Sequence, residues 1–405
     1  MKIGSLIKYY RTKANITQSE LCEGICSVPH LSKIENNWKE ANEETISLIL
    51  KKLDINLQDI ESKNLHINLL LQELIEHIHF YQKEKALKTF KELKHHKELI
   101  PFSDYLYLYE LYKFRYYLFV RSNDQAATQK KWLNKQKINF SQHEWYLYYY
   151  YSSIYLILQK KYSQADEILV RIVHQQPDEL FLGAEVYYHL ALVKGQMEQP
   201  GHAVHYGRKA LGLYTNQYNI KRILHTLMVL GINYTHSEIY PEALECYKHL
   251  KRNAEILGDS ELMQQVFHNI GYLKRKMELL DDAIDYFKKS LEYQEQDSFH
   301  SLVSLHSLAE TYYTSEDHAN ARVAFNKLME ASKETGNQIY RMISTFYLSL
   351  INGEETKGYD YLENKLLPVL KSSSEYRQEL HTFSYLLAMH LQKTRRFEDA
   401  IKYIS

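Results

Sequence analysis

A small residue followed one helical turn later by a large apolar one returns along this chain at steps of 38 to 40 positions. The markers are Ala86, Ala126, Ala165, Ala203, Ala243, Ala283, Ala321 and Ala400; the copies at Ala86 and Ala126 are weaker, and Tyr361 stands at the equivalent place in another. Around Ala243 the pattern reads Tyr240-Pro241-Glu242-Ala243, with Tyr247 and Leu250 after it and Leu230-Gly231 and Tyr234 before it. Ala283 is followed by Phe287 and preceded by Ile270-Gly271. Ala321 is followed by Phe325 and Leu328 and preceded by Leu308-Ala309 and Tyr312. A small side chain where two helices cross lets their backbones approach, and the neighbouring ring fills the remaining space. Past about residue 60 the pattern therefore predicts a row of helical hairpins, each resting on the next. Two tyrosine-rich runs, 105–109 and 146–151, favour strand by local preference. The repeat register overrides that preference and predicts helix.

The N-terminal segment follows another pattern. Ile3, Leu6, Ile7 and Tyr10 fall on one helical face. Thr17 with Glu20 forms a capping box that starts a second helix at Gln18, which ends near Gly24-Ile25-Cys26. Ser27 caps a third helix containing Leu31 and Ile34. Residues 43–53 form a fourth through Ile46, Ile49, Leu50 and Leu53, and Leu57 and Ile60 close the unit. Glu35 is expected to pair internally with Arg11.

Composition agrees with an all-α chain. Only 13 Gly and 6 Pro occur in 405 residues, too few for sandwiches, barrels or Gly-rich phosphate loops. The 36 Tyr suit helices with large rings at the core margin and hydroxyls at the water. Three cysteines make neither a disulfide framework nor a four-ligand zinc site. No run of about 18 apolar residues exists and no signal segment opens the chain, so a cytoplasmic protein without a membrane span is expected. Basic and acidic residues balance at 50 each, so any attraction to nucleic acid must be local. Residues 1–62 hold 8 Lys and Arg against 9 Asp and Glu, which predicts modest non-specific affinity. Pairs such as His77/His79, His95/His96 and His202/His205 match no metal-site motif. Nucleophile elbow, Walker loop and His-Glu-x-x-His are missing as well. No catalytic residue, metal site or cofactor is therefore expected, and the chain is not read as an enzyme.

The hairpin pattern resembles the tetratricopeptide repeat, a helix-turn-helix of 34 residues. The resemblance covers residues 67–405, with the surplus length of each repeat expected in longer turns between helices. It implies a right-handed α-solenoid of about nine hairpins, assigned to residues 63–405. Residues 1–62, through Thr17-Gln18-x-x-Leu21 and Leu31-Ser32-Lys33-Ile34-Glu35-Asn36, resemble the five-helix Xre and phage-repressor helix-turn-helix. The turn Gly24-Ile25-Cys26-Ser27 is similar to that of peptide-pheromone regulators. The two parts together resemble the RRNPP family of peptide-pheromone receptors over essentially the whole chain.

That resemblance implies a quorum-sensing transcriptional regulator. Double-stranded DNA would be read by the third helix, through Ser27, Pro29, His30, Ser32 and Lys33, with Gln18 and Asn36 on phosphate. A short re-imported linear peptide would lie in the groove of the repeats. Counting back from the marker positions selects inward-facing candidates: Tyr188, His189, Asn233, His268, Asn269, Tyr272, Arg275, His306, Glu310 and Tyr313. An Asn amide can satisfy one donor and one acceptor of an extended backbone, so Asn269 and Asn233 are the expected clamps. Arg275 is the candidate for a carboxylate, and Tyr188, Tyr272 and Tyr313 for apolar pockets. The resemblance also implies a homodimer or higher oligomer. As an alternative it implies a protein–protein regulator that binds a response regulator of a sporulation phosphorelay.

Overall fold

The computed structural model describes residues 3–38, 42–174, 180–293, 299–373 and 376–403. Every regular element among them is helical. None of these helices is long and apolar enough to cross a membrane. The chain divides into two compact units, one of residues 1–193 with 213–222, the other of residues 194–212 with 223–405.

The first unit opens with α1 (Ile3–Lys13), α2 (Gln18–Cys22), α3 (Val28–Glu35) and α4 (Glu43–Lys52). Both sides of the Thr17–Glu20 capping box are made, and Ser27 caps α3. Ile7, Leu21, Leu31, Ile34, Ile49 and Leu50 form the buried core of this bundle. Gly4 is required where α1 crosses α3, because a Cβ there would stand 1.8 Å from the carbonyl oxygen of Ile34. The boundary expected between residues 62 and 63 falls inside one continuous helix, α5 (Leu57–His79). Ile60 near its start and Ile78 near its end belong to one apolar cluster, which also takes in Leu6 of α1. Lys13 and Glu98 pair at 2.8 Å, and the rings of Tyr9 and Phe102 lie 5.2 Å apart. The bundle is thus fused to the first repeats through a shared helix and a side contact.

Among the described residues nine hairpins follow. They pair α5 with α6 (Lys83–His95), α7 (Leu106–Phe119) with α8 (Asn123–Gln136), and α9 (Gln142–Leu158) with α10 (Tyr162–His174). Next come α11 (Leu180–Gln196) with α12 (Pro200–Asn216), α13 (Ile220–His236) with α14 (Tyr240–Leu257), and α15 (Ser260–Lys276) with α16 (Leu280–Glu292). The last three pair α17 (Phe299–Thr314) with α18 (His318–Glu334), α19 (Gln338–Ile351) with α20 (Glu355–Tyr361), and α22 (Arg377–Lys393) with α23 (Phe397–Ile401). After α20 the eighth hairpin runs through a π-turn, Leu362–Leu366, into α21 (Leu367–Ser372). Pro368, within the first turn of α21, has no N–H for a bond to the preceding turn. The tyrosine-rich runs lie in or beside α7 and α9, as the register required.

One turn closes all nine hairpins. A residue with positive φ ends each first helix: Tyr81, Arg121, Lys160, Glu198, Glu238, Glu278, Glu316, Gly353 and Arg395. Its N–H bonds back three residues, and the next N–H bonds back five, as in Tyr81 to Ile78 and Gln82 to His77. This is the Schellman arrangement. The carbonyl of that next residue then accepts the N–H of the marker, as Gln82 accepts from Ala86 and Ile239 from Ala243. In the eighth hairpin the residue in this place is Gly358, bonded to Glu354, and not Tyr361. Gly358 is buried, and a Cβ on it would meet Leu350 at 3.0 Å.

The surplus length over a 34-residue unit does not lie only in turns. Helices α12, α13 and α15 are each 17 residues long and α14 is 18. The connection from α14 to α15 is just Gly258 and Asp259. Longer connections of the expected kind join α6 to α7 and α8 to α9.

Candidate functional site

At the start of α3 the Ser27 hydroxyl accepts the His30 N–H at 3.3 Å. Ser27, Val28 and Pro29 are exposed there, Lys33 is exposed on the next turn, and His30 and Ser32 are half-buried. The free N–H groups and partial positive charge of a helix start favour an anion. Gln18 is held from below, its amide donating to Glu35 Oε2 at 2.8 Å. Glu35 is 2% exposed and takes Arg11 Nε at 2.6 Å and Nη2 at 3.0 Å, while Arg11 Nη1 donates to the Ile16 carbonyl. The expected Arg11–Glu35 pair is present and Gln18 extends it. Asn36 spends its amide on the Ser32 carbonyl at 2.9 Å. Cys22, Cys26 and Cys246 are free thiols, and burial followed by the neighbouring Cys22 pushes the Cys26 thiol up.

In the second unit the candidates align by register. His268 and His306 stand fifteen residues before their markers, Tyr272 and Glu310 eleven, Arg275 and Tyr313 eight. Successive first helices therefore stack these residues in rows. Arg275 Nη1 donates to Glu310 Oε2 at 3.0 Å, His306 Nε2 lies 3.3 Å from Glu310 Oε1, and the Tyr347 hydroxyl donates to the same oxygen at 3.0 Å. Burial works against charge on Glu310, but His306 and Arg275 outweigh it and hold the carboxyl well below the usual range. The Arg275 guanidinium also lies 5.5 Å from the Tyr272 ring centre, and Gln378 donates to the Tyr272 hydroxyl at 3.2 Å. The Tyr313 ring sits 5.1 Å from that of Tyr347. His268 bonds the Ser304 hydroxyl at 3.1 Å.

The two asparagines differ. Asn269 is half-buried and donates to the Gln265 carbonyl at 2.8 Å. Its Oδ1 accepts no hydrogen bond among the described residues. Asn233 is 5% exposed and donates to the Val229 carbonyl at 2.8 Å. It presses on Gly195, where a Cβ would stand 2.8 Å from Asn233 Oδ1. Its register position, ten before the marker, is filled by Leu273 and Thr311 in the next two hairpins, both buried. Asn233 is thus a packing residue in this conformation, and Asn269 keeps an open acceptor.

In the first unit Tyr188 is half-buried and His189 is 8% exposed. His189 Nδ1 lies 3.0 Å from the Tyr150 hydroxyl and 2.9 Å from the Glu185 carbonyl. Burial pulls its pKa down to about 3. Around it the Glu185 carboxylate receives the Tyr150 hydroxyl at 2.8 Å, Arg222 Nη2 at 3.0 Å and Arg115 Nη2 at 3.3 Å. His189 thus has its Nδ1 engaged inside this network. Sequence reasoning named neither Glu185, Arg115, Arg222 and Tyr150 here nor Tyr347 beside Glu310. No local pattern marks them, since Arg115 meets Glu185 across 70 positions.

The helix-turn-helix family model matches residues 7–60 and the tetratricopeptide repeat model residues 262–334. The chain is 25% identical over 394 residues to the transcriptional activator NprA of Geobacillus stearothermophilus, covering 95% of this chain and 97% of that one. In fold it is similar to the apo quorum sensor NprR from B. thuringiensis, at 21% identity and a TM-score of 0.70, covering 84% of this chain and 96% of that one. NprR in complex with its cognate peptide NprX gives 21% identity and a TM-score of 0.64 over the same shares.

Proposed function

We propose that the chain is a member of the RRNPP family of peptide-pheromone receptors, a DNA-binding transcriptional regulator controlled by a short extended peptide. The observation that carries the reading is the open start of α3. Ser27, Val28, Pro29 and Lys33 are exposed on a helix whose opposite face, Leu31, Ile34 and Glu35, is buried. Such a helix enters the major groove with its first residues at base edges. Gln18, oriented by Glu35, presents the start of α2 to the phosphate backbone. With 8 basic against 9 acidic residues in 1–62, one head neutralises few phosphates, so two heads on two half-sites of a homodimer supply the affinity.

The peptide would lie along the inner rows of the second unit. Asn269 offers its open carbonyl oxygen to a backbone N–H, and Tyr272 and Tyr313 offer ring faces to apolar side chains. Arg275 is already paired with Glu310 through Nη1, so an acidic ligand that draws the guanidinium toward itself exchanges one ion pair for another. That exchange is a differential contact able to shift a conformational equilibrium. The chain acts without catalysis in this reading, inside the cell, on a re-imported peptide. A mobility shift on DNA upstream of its own gene, with and without a short peptide encoded just downstream, tests it. Binding that changes with the peptide is expected, and no DNA binding under either condition ends the reading.

A further inference from the structure

Helix α5 has its two ends in different places within the first unit. Its start lies in the N-terminal bundle, where Ile60 shares a cluster with Leu6. Its last residue, His79, is gripped by residues far ahead in the sequence. The His79 carbonyl, one of the four that a helix end leaves without an intrahelical partner, accepts Asn219 Nδ2 at 3.0 Å and Arg222 Nε at 3.3 Å. The His79 ring bonds the Gln217 side chain at 3.0 Å through Nε2 and approaches Glu185 Oε1 at 3.5 Å through Nδ1. Asn219 is itself fixed, because its Oδ1 accepts the Arg222 N–H at 3.3 Å. His79, Glu185, Asn219 and Arg222 are exposed by 6%, 4%, 1% and 5%.

A buried carboxylate shared by two guanidiniums adds little net stability over an apolar cluster of the same size, because desolvation offsets the attraction. What it adds is definition. Opening it leaves buried charge uncompensated, so such a cluster is made or broken and does not deform smoothly. At about 1.5 Å per residue, α5 carries the position of His79 some 34 Å to the bundle as a nearly rigid rod.

We propose that the Asn219–Arg222 grip on His79 is the joint that locks α5, and with it the N-terminal bundle, to the start of α13, with Arg222 a positioning residue acting through α5. The inference rests on the reading of that bundle as a DNA-reading head only for its consequence. Two heads can be spaced for two half-sites only while each is held in one orientation.

Nitroxide labels at Lys8→Cys and Tyr218→Cys, on either side of the grip in the full-length chain with Cys26→Ser, read the orientation directly by pulsed dipolar spectroscopy without DNA. Arg222→Lys keeps a positive charge near Glu185 but loses the separate Nε–H that donates to the His79 carbonyl. The expected result is one narrow distance population in the parent chain and a broadened or split one in Arg222→Lys, at unchanged helix content. An equally narrow population in Arg222→Lys overturns the proposal. Should that variant fail to fold, Arg115→Met/Glu185→Leu/Arg222→Met, which removes all three charges together, decides by the same distance. Because the readout needs no DNA, a parent chain that binds no duplex would count against the proposed function alone.

Discussion

Arg11 and Glu35 meet at 2.6 Å beneath the start of α2, and Gln18 bonds the same carboxylate from above. One buried acid therefore ties α1, α2 and α3 together and fixes the Gln18 side chain at the start of α2. Glu35→Gln leaves Arg11 short of its charge partner and should cost about 2 kcal/mol, since the Arg11 side chain is 14% exposed and partly rehydrates. Urea unfolding checks this. A midpoint equal to the parent's would show that the triad does not hold the bundle.

Lys33 stands on the open face of α3 without an acidic partner among the described residues. Lys33→Ala should lower DNA affinity across sequences and reduce the slope of log K against log salt by about 1 if it meets a phosphate. An altered preference for one base pair at constant slope would make it a base reader.

Asn269 and Asn233 should separate. Asn269→Ala removes the open acceptor and is expected to weaken the encoded peptide about tenfold with little loss of stability. Asn233→Ala empties a packed site and should cost about 1 kcal/mol of stability while leaving peptide affinity unchanged. Calorimetric titration and thermal melts on the two variants give the comparison, and the reverse pattern would exchange their roles.

His189 makes stability depend on pH. Its folded pKa is pulled down to about 3, so the unfolded chain takes up a proton near pH 6.5 that the folded one refuses. The stabilisation is complete above about pH 6.5 and is lost as pH falls toward the folded value, amounting to about 2 kcal/mol at pH 5. His189→Gln should flatten the stability profile between pH 7 and pH 5 relative to the parent. Parallel profiles would mean that the ring charges inside the fold.

Gly231 and Gly271 sit where the rings of the following helices cross. A Cβ would stand 2.7 Å from Tyr247 and 2.8 Å from Phe287. Gly231→Ala and Gly271→Ala should each cost about 1–3 kcal/mol through overpacking. Gly212→Ala, in the interior of α12 with nothing within 4 Å, should stabilise by up to about 1 kcal/mol. Melting temperatures of the three variants sort them.

Local signals were readable in the sequence. Thr17–Glu20 and Ser27 announce their caps because capping is a contact over three residues. Eight of the nine markers are Ala because a crossing tolerates nothing larger. For the ninth, an even step points to Tyr361; Gly358 meets the physical requirement, and Gly353 five residues earlier is its signal. Register also separates Asn233 from Asn269, which composition cannot do. The grip on His79 had no sequence signature. Asn219 reaches it across 140 positions, and neither residue type is unusual where it stands.

The nine closing turns have a consequence for how such an array grows. Eight of their positive-φ residues carry a side chain, yet every turn closes with the same backbone bonds. The hinge is written in main-chain geometry rather than in any one amino acid, so a hairpin can be duplicated or excised in evolution without inventing a new bend. Array length is then free to drift, and inheritance must guard only the few side chains that reach across several hairpins at once.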